Sequence, residues 1–427
     1  MTISEIHQIY LKCSAISIDT RKIIPYSLFV AIKGDRYDAN EFAKEALDKG
    51  AAYVLIDNNK YYIDERTIYV KDSLKTLQDL ATFHRAFLKT PIIALTGSNG
   101  KTTTKELINV VLSKKFNVKA TVGNLNNHIG VPLTLLSFDK NTEIGIVEMG
   151  ANHQKEIEFL CQIALPDFGY ITNFGKAHLE GFGGVEGVIK GKSEMYSYLR
   201  LNNKKVFINN DDSIQVEKSI EIEKISFSTT DTSASIFIKN VEANPFVSVA
   251  FNNVIINSHL IGLYNANNIN AAIVIGNHFD VSDTDIKEAI EAYIPENNRS
   301  QLITKGSNEI ILDAYNANPS SMKVALENFI QLKKDNKVIV IGDMFELGDD
   351  SIIEHENIVN MLISQNNIII HFVGEYFFKN KIVKNNFNFY QNFKDFSNDF
   401  KGIKFEDSII LIKGSRGMAL ERTLELL

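Results

Sequence analysis

The segment Gly97-Ser-Asn-Gly-Lys-Thr-Thr103 combines glycines, a lysine and hydroxyl side chains at a spacing that suits phosphate binding. Glycine lets a backbone turn tightly, so that main-chain N–H groups and the start of a following helix can point at phosphate oxygens. Lys101 adds a positive charge, and the Thr102 hydroxyl can hold a magnesium ion. The residues expected to contact a nucleotide are Gly97, Ser98, Asn99, Gly100, Lys101, Thr102 and Thr103.

The sequence on both sides of this loop favours a nucleotide site over an ordinary strand-to-helix turn. Apolar residues 92–95 predict a buried strand before the loop. Apolar residues at helical spacing over 107–112 predict a helix after it. Leu95 stands where the longer Gly-x-x-x-x-Gly-Lys-Thr pattern has its first glycine. The spacing alone therefore leaves the subclass of nucleotide-binding protein open.

Glu148 and His178 are candidate metal ligands, because each follows a predicted strand. Ligands of open α/β sheets gather beyond the carboxyl ends of the strands. Glu148 lies near the end of the strand 144–149, and His178 lies in the loop after the strand 168–172. A solvated glutamate and a structural histidine are the alternatives, since magnesium prefers oxygen ligands. The sequence leaves both alternatives open.

Further polar segments follow predicted strands or precede helices. Asn124 and Asn127 lie in a polar loop, although asparagines often only satisfy turn backbones. In the last third of the chain, Asp313-Ala-Tyr-Asn-Ala-Asn318 follows one strand and Lys413-Gly-Ser-Arg416 follows another. Lys413, Arg416 and the N–H groups beside them could bind a carboxylate or a phosphate.

Length and composition predict a multidomain protein that does not bind nucleic acid. The 427 residues suggest about three domains, and 45 Lys and Arg against 52 Asp and Glu make the chain mildly acidic. Two cysteines support neither a disulfide framework nor a zinc cluster. Because no apolar run is long enough to cross a bilayer, we expect a cytoplasmic protein that is not inserted in a membrane. We also expect a monomer.

The alternation of predicted strands and helices indicates an α/β fold of three domains. We expect a small N-terminal α/β domain over residues 1–88 and a central doubly wound, P-loop ATPase-like domain over 89–298. Residues 224–262 predict a small β subregion inside the central domain. A C-terminal Rossmann-like domain over 299–427 is expected to end in a helix over 418–427.

Together these segments resemble the Mur ligases, the ATP-dependent amide-forming enzymes that build the peptide of bacterial peptidoglycan. The resemblance extends over nearly the whole chain and rests on segments 96–106, 123–127, 313–322 and 342–348. Within the family these motifs look like those of the last enzyme of the series. That resemblance implies the joining of D-alanyl-D-alanine to UDP-N-acetylmuramoyl-tripeptide, with ATP and Mg²⁺, through an acyl phosphate and a tetrahedral intermediate.

The resemblance also implies roles for individual residues. Lys101, Lys192, His178 and Arg299 are implied to be catalytic, and Lys192 is expected to carry a carbamate. The implied metal ligands are Thr102, Glu148, His178 and Lys192. The nucleotide is implied to contact, besides the loop, Asn265, Asn268, Arg299 and Asp313. The implied substrate-binding residues are Asp19, Thr20, Arg21, Asn124, Asn127, Asn316, Asn318, Lys413, Ser415 and Arg416.

The chain departs from the family pattern at Ala39 and Asn40, at His128 and at Asn298. The first departure could alter the sugar-nucleotide contact, and His128 replaces a common glutamate. The third residue of the tripeptide, lysine or diaminopimelate, stays open. A neighbouring amino-acid or folate ligase is one alternative function, and a nucleotide-dependent switch that makes no amide bond is another.

Overall fold

A computed structural model describes residues 1–34, 37–296 and 298–427 of the chain. The first unit is a four-stranded parallel sheet in the order β1-β2-β3-β4 with helices beside it. Thr2 begins the first helix with a capping box that it shares with Glu5. The elements are α1 (Ile3–Tyr10), β1 (Ile16–Ser17), β2 (Leu28–Val30), α2 (Ala43–Asp48), β3 (Tyr53–Ile56), β4 (Thr67–Tyr69) and α3 (Ser73–Leu88).

The second unit is built on a nine-stranded sheet in the order β13-β12-β11-β10-β9-β8-β5-β7-β6. Its strands are β5 (Ile92–Thr96), β6 (Val118–Ala120), β7 (Ile144–Glu148), β8 (Phe168–Ile171), β9 (Lys205–Asn209), β10 (Glu223–Ser228), β11 (Ile236–Ala243), β12 (Phe246–Phe251) and β13 (Val254–Ile261). Its helices are α4 (Lys101–Leu112), α5 (Gly130–Leu135), α6 (Glu156–Ala164), α7 (Leu179–Phe182), α8 (Val185–Leu201), α9 (Ser213–Lys218), α10 (Ala266–His278) and α11 (Asp283–Ala292).

The strand pairing explains the predicted β subregion. β5 to β10 run parallel, as crossover helices require, whereas β11, β12 and β13 pair antiparallel through tight turns. These three strands extend the edge of the same sheet instead of forming a separate layer. β5 lies between β7 and β8, so its carboxyl end opens at the middle of the sheet, where ligands of such folds bind.

The third unit contains a six-stranded sheet in the order β14-β15-β19-β16-β17-β18, parallel except for β14. Its strands are β14 (Gln301–Lys305), β15 (Asn308–Asp313), β16 (Asn336–Gly342), β17 (Ile368–Val373), β18 (Phe387–Tyr390) and β19 (Ser408–Lys413). Its helices are α12 (Pro319–Gln331), α13 (Ser351–Leu362), α14 (Glu375–Lys379) and α15 (Phe393–Phe400). The predicted α/β class with three sheet-based units is confirmed, and the boundaries at 88 and 298 stay predictions.

The first unit is joined to the second by the packing of α1 and α3. α3 contacts both α5 and α6. The Tyr10 hydroxyl donates a hydrogen bond to the Leu136 carbonyl, and His84 Nε2 lies 3.0 Å from the Phe138 carbonyl oxygen. The buried Arg85 guanidinium donates to the Asp167 carboxylate at 2.6 Å. α1 and α3 therefore complete a core that the central unit shares.

The predicted helix over 418–427 is wrong. Short 3-10 turns occupy Arg416–Met418 and Leu420–Glu425, and Ala419 between them has a left-handed backbone with φ +48°. The buried Leu420 side chain packs against Gly342 and Gly414. Tertiary packing thus overrides the local helical pattern. Among the described residues, no helix has the length and apolar character needed to cross a membrane.

Candidate functional site

The phosphate loop (residues 97–103) connects β5 to α4 and needs both of its glycines. Gly97 has φ +147°, and a Cβ atom there would lie 1.8 Å from Thr172 Oγ1. Gly100, with φ +80°, precedes the first residue of α4 and packs against Asn268. Residues 98–103 line a cavity, so the start of that helix, where backbone N–H groups lack partners within the helix, lies at this cavity.

Lys101 lies at the first position of α4, and its Nζ donates to the Gly97 carbonyl at 2.6 Å. Burial lowers the pKa of Lys101, the Glu148 carboxylate opposes this shift, and the Arg299 guanidinium adds to it. Two cations and one carboxylate from separate elements thus act on one another here. Such a group of charges can receive a polyanion.

The carboxylate of Glu148 is held by two side chains at the end of β7. Its Oε2 accepts a hydrogen bond from the Thr102 hydroxyl at 3.0 Å, and its Oε1 accepts from Asn126 Nδ2 at 2.8 Å. Glu148 is only 2% exposed, so a positive partner would compensate its burial. Mg²⁺ prefers oxygen ligands such as hydroxyl and carboxylate groups. The side chains of Thr102 and Glu148 therefore fit this ion.

The two other predicted metal ligands, His178 and Lys192, occupy different positions relative to the cavity. His178 lines the same cavity as Glu148, and its Nδ1 contacts the Glu346 carboxylate of the third unit. Lys192 on α8 is buried beneath the Phe182 ring, with Nζ 5.3 Å from the ring centroid, and it is not part of the cavity wall. Burial lowers the pKa of Lys192 well below its ordinary value, and nearby Lys101 lowers it further.

The third unit brings cationic and polar side chains to the phosphate loop. The Arg299 guanidinium carbon lies over the Tyr315 ring, 3.6 Å from the ring centroid. Lys413 Nζ donates to Asp313 Oδ2 at 2.6 Å, so two residues predicted for different ligands pair with each other. The third unit also reaches the loop directly, because Asn318 Nδ2 donates to Asn99 Oδ1 at 2.7 Å.

Two of the predicted nucleotide contacts, Asn265 and Asn268, belong to one buried network at the start of α10. Asn268 Nδ2 donates to Asn265 Oδ1 at 2.8 Å, and its own Oδ1 accepts from the Thr104 hydroxyl at 2.9 Å. Asn265 Nδ2 donates to the Ile261 carbonyl at 2.7 Å. The amides are thereby fixed in orientation before any ligand contacts them.

One cavity of about 790 Å³ lies between the second and third units and brings most of the predicted site together. The predicted residues that line it are Ser98, Asn99, Gly100, Lys101, Thr102, Thr103, Asn124, Asn127, Glu148, His178, Asn265, Asn268, Arg299, Asp313, Asn316, Asn318 and Lys413. The predicted residues outside its lining are Gly97, Lys192, Asp19, Thr20, Arg21, Ser415 and Arg416.

Residues outside the lining have partners of their own. In the first unit, Asp19 accepts hydrogen bonds from the backbone and the side chain of Arg21, at 2.9 Å each. The buried Ser415 hydroxyl accepts from the Phe345 N–H at 3.0 Å, which braces a loop of the third unit. Arg416 is exposed and pairs with Glu421 at 3.2 Å. Their assignment to substrates stays a prediction.

Two cavity-wall residues that the sequence did not assign support residues that it did assign. Asn126, between the predicted Asn124 and Asn127, holds Glu148, and Tyr315 orients Arg299. The sequence motifs that contain them indicate a site, but spacing within a loop does not tell which side chain turns inward. Only the turn geometry of the folded loop decides this.

The departures from the family pattern have local physical explanations at two positions. Asn298 has φ +57°, a left-handed conformation that asparagine tolerates better than most residues and that glycine also adopts. Asn40 is buried and donates from Nδ2 to Asp38 at 2.6 Å and to Asp57 at 2.7 Å. His128 is exposed at the cavity wall, where it could contact a ligand but supplies no acidic group.

Family models match three consecutive segments of the chain. Residues 12–85 match the Mur ligase family catalytic domain, residues 95–276 the Mur ligase middle domain, and residues 298–416 the Mur ligase glutamate ligase domain. The last two matches contain the phosphate loop, Glu148, His178, Arg299 and Asp313. The cavity therefore lies between the two matched domains that carry these residues.

Similar proteins match this chain over more than nine-tenths of their own length. The UDP-N-acetylmuramoyl-tripeptide–D-alanyl-D-alanine ligase of Bacillus subtilis is 34% identical over 433 residues, covering 96% of this chain and 92% of the relative. A crystal structure of MurF from Acinetobacter baumannii is 28% identical, with a TM-score of 0.88 over 99% of this chain and 98% of that one. MurF ligase from Thermotoga maritima in complex with ADP is 26% identical, with a TM-score of 0.84 over 98% of this chain and 97% of that one. The chain belongs to the Mur ligase family.

Proposed function

We propose that this chain is an ATP-dependent ligase that joins D-alanyl-D-alanine to UDP-N-acetylmuramoyl-tripeptide. The observation that carries the proposal is the convergence, in one cavity, of Lys101 and Glu148 from the central unit with Arg299 and Lys413 from the third unit. The names of the full-length relatives support this choice of substrates over those of neighbouring ligases.

Each bound group has a defined chemical task. ATP supplies the phosphoryl group that converts the terminal carboxylate of the tripeptide into an acyl phosphate, from which the dipeptide amine displaces phosphate to form the amide. Mg²⁺ would be held by Thr102 and Glu148 and by His178, which lines the same cavity, and would neutralise phosphate charge. The 3.0 Å hydrogen bond from the Thr102 hydroxyl to Glu148 supports this arrangement, because it holds the two oxygens that would bind the metal close together.

The protein's own contribution is to position charges and to exclude water. Lys101 from the central unit and Arg299 from the third unit supply fixed positive charge to the cavity, and the Tyr315 ring holds the Arg299 guanidinium in place. The hydrogen bond between Asn318 and Asn99 holds the third unit against the phosphate loop. We infer that this contact screens the activated carboxylate from water, which would otherwise hydrolyse it.

The remaining assignments belong to the same proposal. Asp19, Thr20 and Arg21 would receive the uridine nucleotide, and Asn124 and Asn127 would face the muramoyl peptide. The residues assigned to the incoming substrate side are Asn316, Asn318, Lys413, Ser415 and Arg416. Lys192 would carry a carbamate, which is supported by its buried amine and lowered pKa, because only a neutral amine adds carbon dioxide. We also infer a monomer with domain boundaries near residues 88 and 298.

Phosphate release with UDP-N-acetylmuramoyl-tripeptide, measured with and without D-alanyl-D-alanine, tests the proposal. We expect release to require the dipeptide and to fall by about 100-fold or more in Lys101→Ala, because a preorganised charge on the transferred group is lost. Mass spectrometry of the product should show the dipeptide adduct.

Other outcomes would assign a different function. Phosphate release that is indifferent to the dipeptide would indicate a nucleotide-dependent switch. An adduct with a single amino acid, and none with the dipeptide, would indicate a neighbouring ligase. Near-normal dipeptide-dependent release by Lys101→Ala would refute the role of the phosphate loop.

A further inference from the structure

The loop that carries His178 is held to the third unit by two acidic side chains. Lys176 Nζ lies 2.5 Å from Glu354 Oε1, and its backbone N–H donates to the Ser320 hydroxyl at 2.8 Å. Two residues further on, His178 Nδ1 contacts the carboxylate of Glu346. One short segment of the central unit therefore meets two carboxylates of the third unit, and only Glu346 touches a residue proposed to bind metal.

The loop that presents Glu346 (residues 343–348) is firmly supported. The Met344 N–H donates to the buried His355 Nε2 at 2.9 Å, and the Phe345 N–H donates to Ser415 Oγ at 3.0 Å. The Asp343 carboxylate, in turn, accepts the N–H group of Phe377 at 3.0 Å. Consecutive backbone groups are thus anchored to the interior of the third unit just before the chain reaches Glu346.

Both sides of the contact have unusual backbone conformations. His178 has φ +52° and Glu346 has φ +62°, although neither residue is glycine. Gly348 approaches α7 so closely that an added Cβ would lie 3.2 Å from Glu180 Cβ. Non-glycine residues in this conformation persist where the surrounding structure holds them, and they concentrate at functional sites. The geometry therefore directs the Glu346 carboxylate onto the imidazole of His178.

We propose that Glu346 is a positioning residue that orients the His178 imidazole and leaves Nε2 as the nitrogen available to the metal. Metal-binding histidines commonly donate their second ring N–H to a carboxylate, which fixes the tautomer and the ring orientation. Here the carboxylate comes from the other side of the domain interface. The inference rests on the proposed metal site, and it adds that the third unit completes this site when it docks on the central unit.

Glu354 offers a matched control, because it pairs with Lys176 in the same segment but does not touch His178. If the third unit only needs acidic groups to dock, removal of Glu346 and removal of Glu354 should have the same effect. If Glu346 orients His178, metal binding should depend on Glu346 alone. Glu346 is 57% exposed, so its substitution should leave the folded core intact.

The experiment is a titration of the full-length protein with Mn²⁺ in the presence of a non-hydrolysable ATP analogue, followed by electron paramagnetic resonance of the free ion. We expect Glu346→Ala to weaken Mn²⁺ binding by about 10- to 100-fold, as loss of such a carboxylate partner does elsewhere. Glu346→Gln keeps an acceptor for the imidazole N–H and should bind Mn²⁺ more tightly than Glu346→Ala. Glu354→Ala should stay close to the wild-type protein.

Equal Mn²⁺ affinities in Glu346→Ala and Glu354→Ala would overturn the inference, whether both fall or both stay unchanged. Dipeptide ligation by the wild-type protein is measured separately. A wild-type protein that forms the adduct while Glu346→Ala binds Mn²⁺ normally would refute the positioning role and leave the proposed function standing.

Discussion

Substitution of Gly100 by alanine is predicted to destabilise the protein through one identifiable clash. Gly100 has φ +80°, and an added Cβ atom would lie 2.6 Å from Asn268 Oδ1. Asn268 cannot move aside freely, because its amide bonds to Thr104 at 2.9 Å and to Asn265 at 2.8 Å inside the core. The clash is therefore relieved only by breaking a buried hydrogen bond.

The expected magnitude follows from two contributions. A left-handed backbone costs alanine about 1 kcal/mol relative to glycine. A buried amide left without its partner costs about 1 to 3 kcal/mol more, so Gly100→Ala should lower the free energy of unfolding by about 2 to 4 kcal/mol. Gly123→Ala separates the two contributions, since Gly123 has φ +56° but an added Cβ there meets no heavy atom within 4 Å. Gly123→Ala should lower the free energy of unfolding by about 1 kcal/mol.

Urea unfolding followed by circular dichroism measures both variants, because the chain contains no tryptophan to serve as a fluorescence probe. The double variant, Gly100→Ala with Asn268→Ala, lacks the clashing atom. Its free energy of unfolding should therefore fall by less than the sum of the decreases in the two single variants. Equal destabilisation by Gly100→Ala and Gly123→Ala would refute the reasoning, since it would leave nothing for the contact with Asn268 to explain.

Two further predictions concern titration and covalent modification. Burial lowers the pKa of His371 from 6.5 to about 4, so the folded protein binds this proton less readily than the unfolded chain. The free energy of unfolding should therefore fall as the pH drops from 6.5 towards 4. His371→Gln should remove about 3 kcal/mol of this pH dependence. An unchanged slope in urea unfolding over this pH range would contradict that assignment. For Lys192, ¹³C nuclear magnetic resonance after equilibration with labelled bicarbonate should show a carbamate carbon that disappears in Lys192→Gln. A wild-type spectrum without that resonance would exclude the modification.

Local sequence patterns predicted those parts of the fold and site that depend on neighbouring residues. The strand at residues 92–96 and the loop after it agree with β5 and the start of α4, because an apolar run, two glycines and a lysine specify them within a few positions. Family membership is likewise confirmed by the comparisons, since it rests on several motifs in a fixed order.

Contacts between distant segments could not be predicted in this way. Lys413 and Asp313 were assigned to different ligands, yet they form an ion pair across 100 residues of sequence. Asn99 and Asn318, which bond across 219 residues, carry no shared pattern that would pair them. The helix predicted over 418–427 failed for the same reason, because the fit of Leu420 between two glycines is decided by the folded sheet.

The attachment of α1 to the central unit has a consequence for how the protein is made. Tyr10 on α1 bonds to the carbonyl of Leu136, which is added to the growing chain 126 residues later. At a synthesis rate of about 5 to 20 residues per second, this delay is roughly 6 to 25 s. During that interval the apolar face of α1, and that of α3 once residues 73–88 have been added, has no central unit to pack on. The ribosome-bound chain therefore exposes these faces to chaperones until residues of α5 emerge, and the N-terminal unit reaches its final packing only together with the domain that follows it.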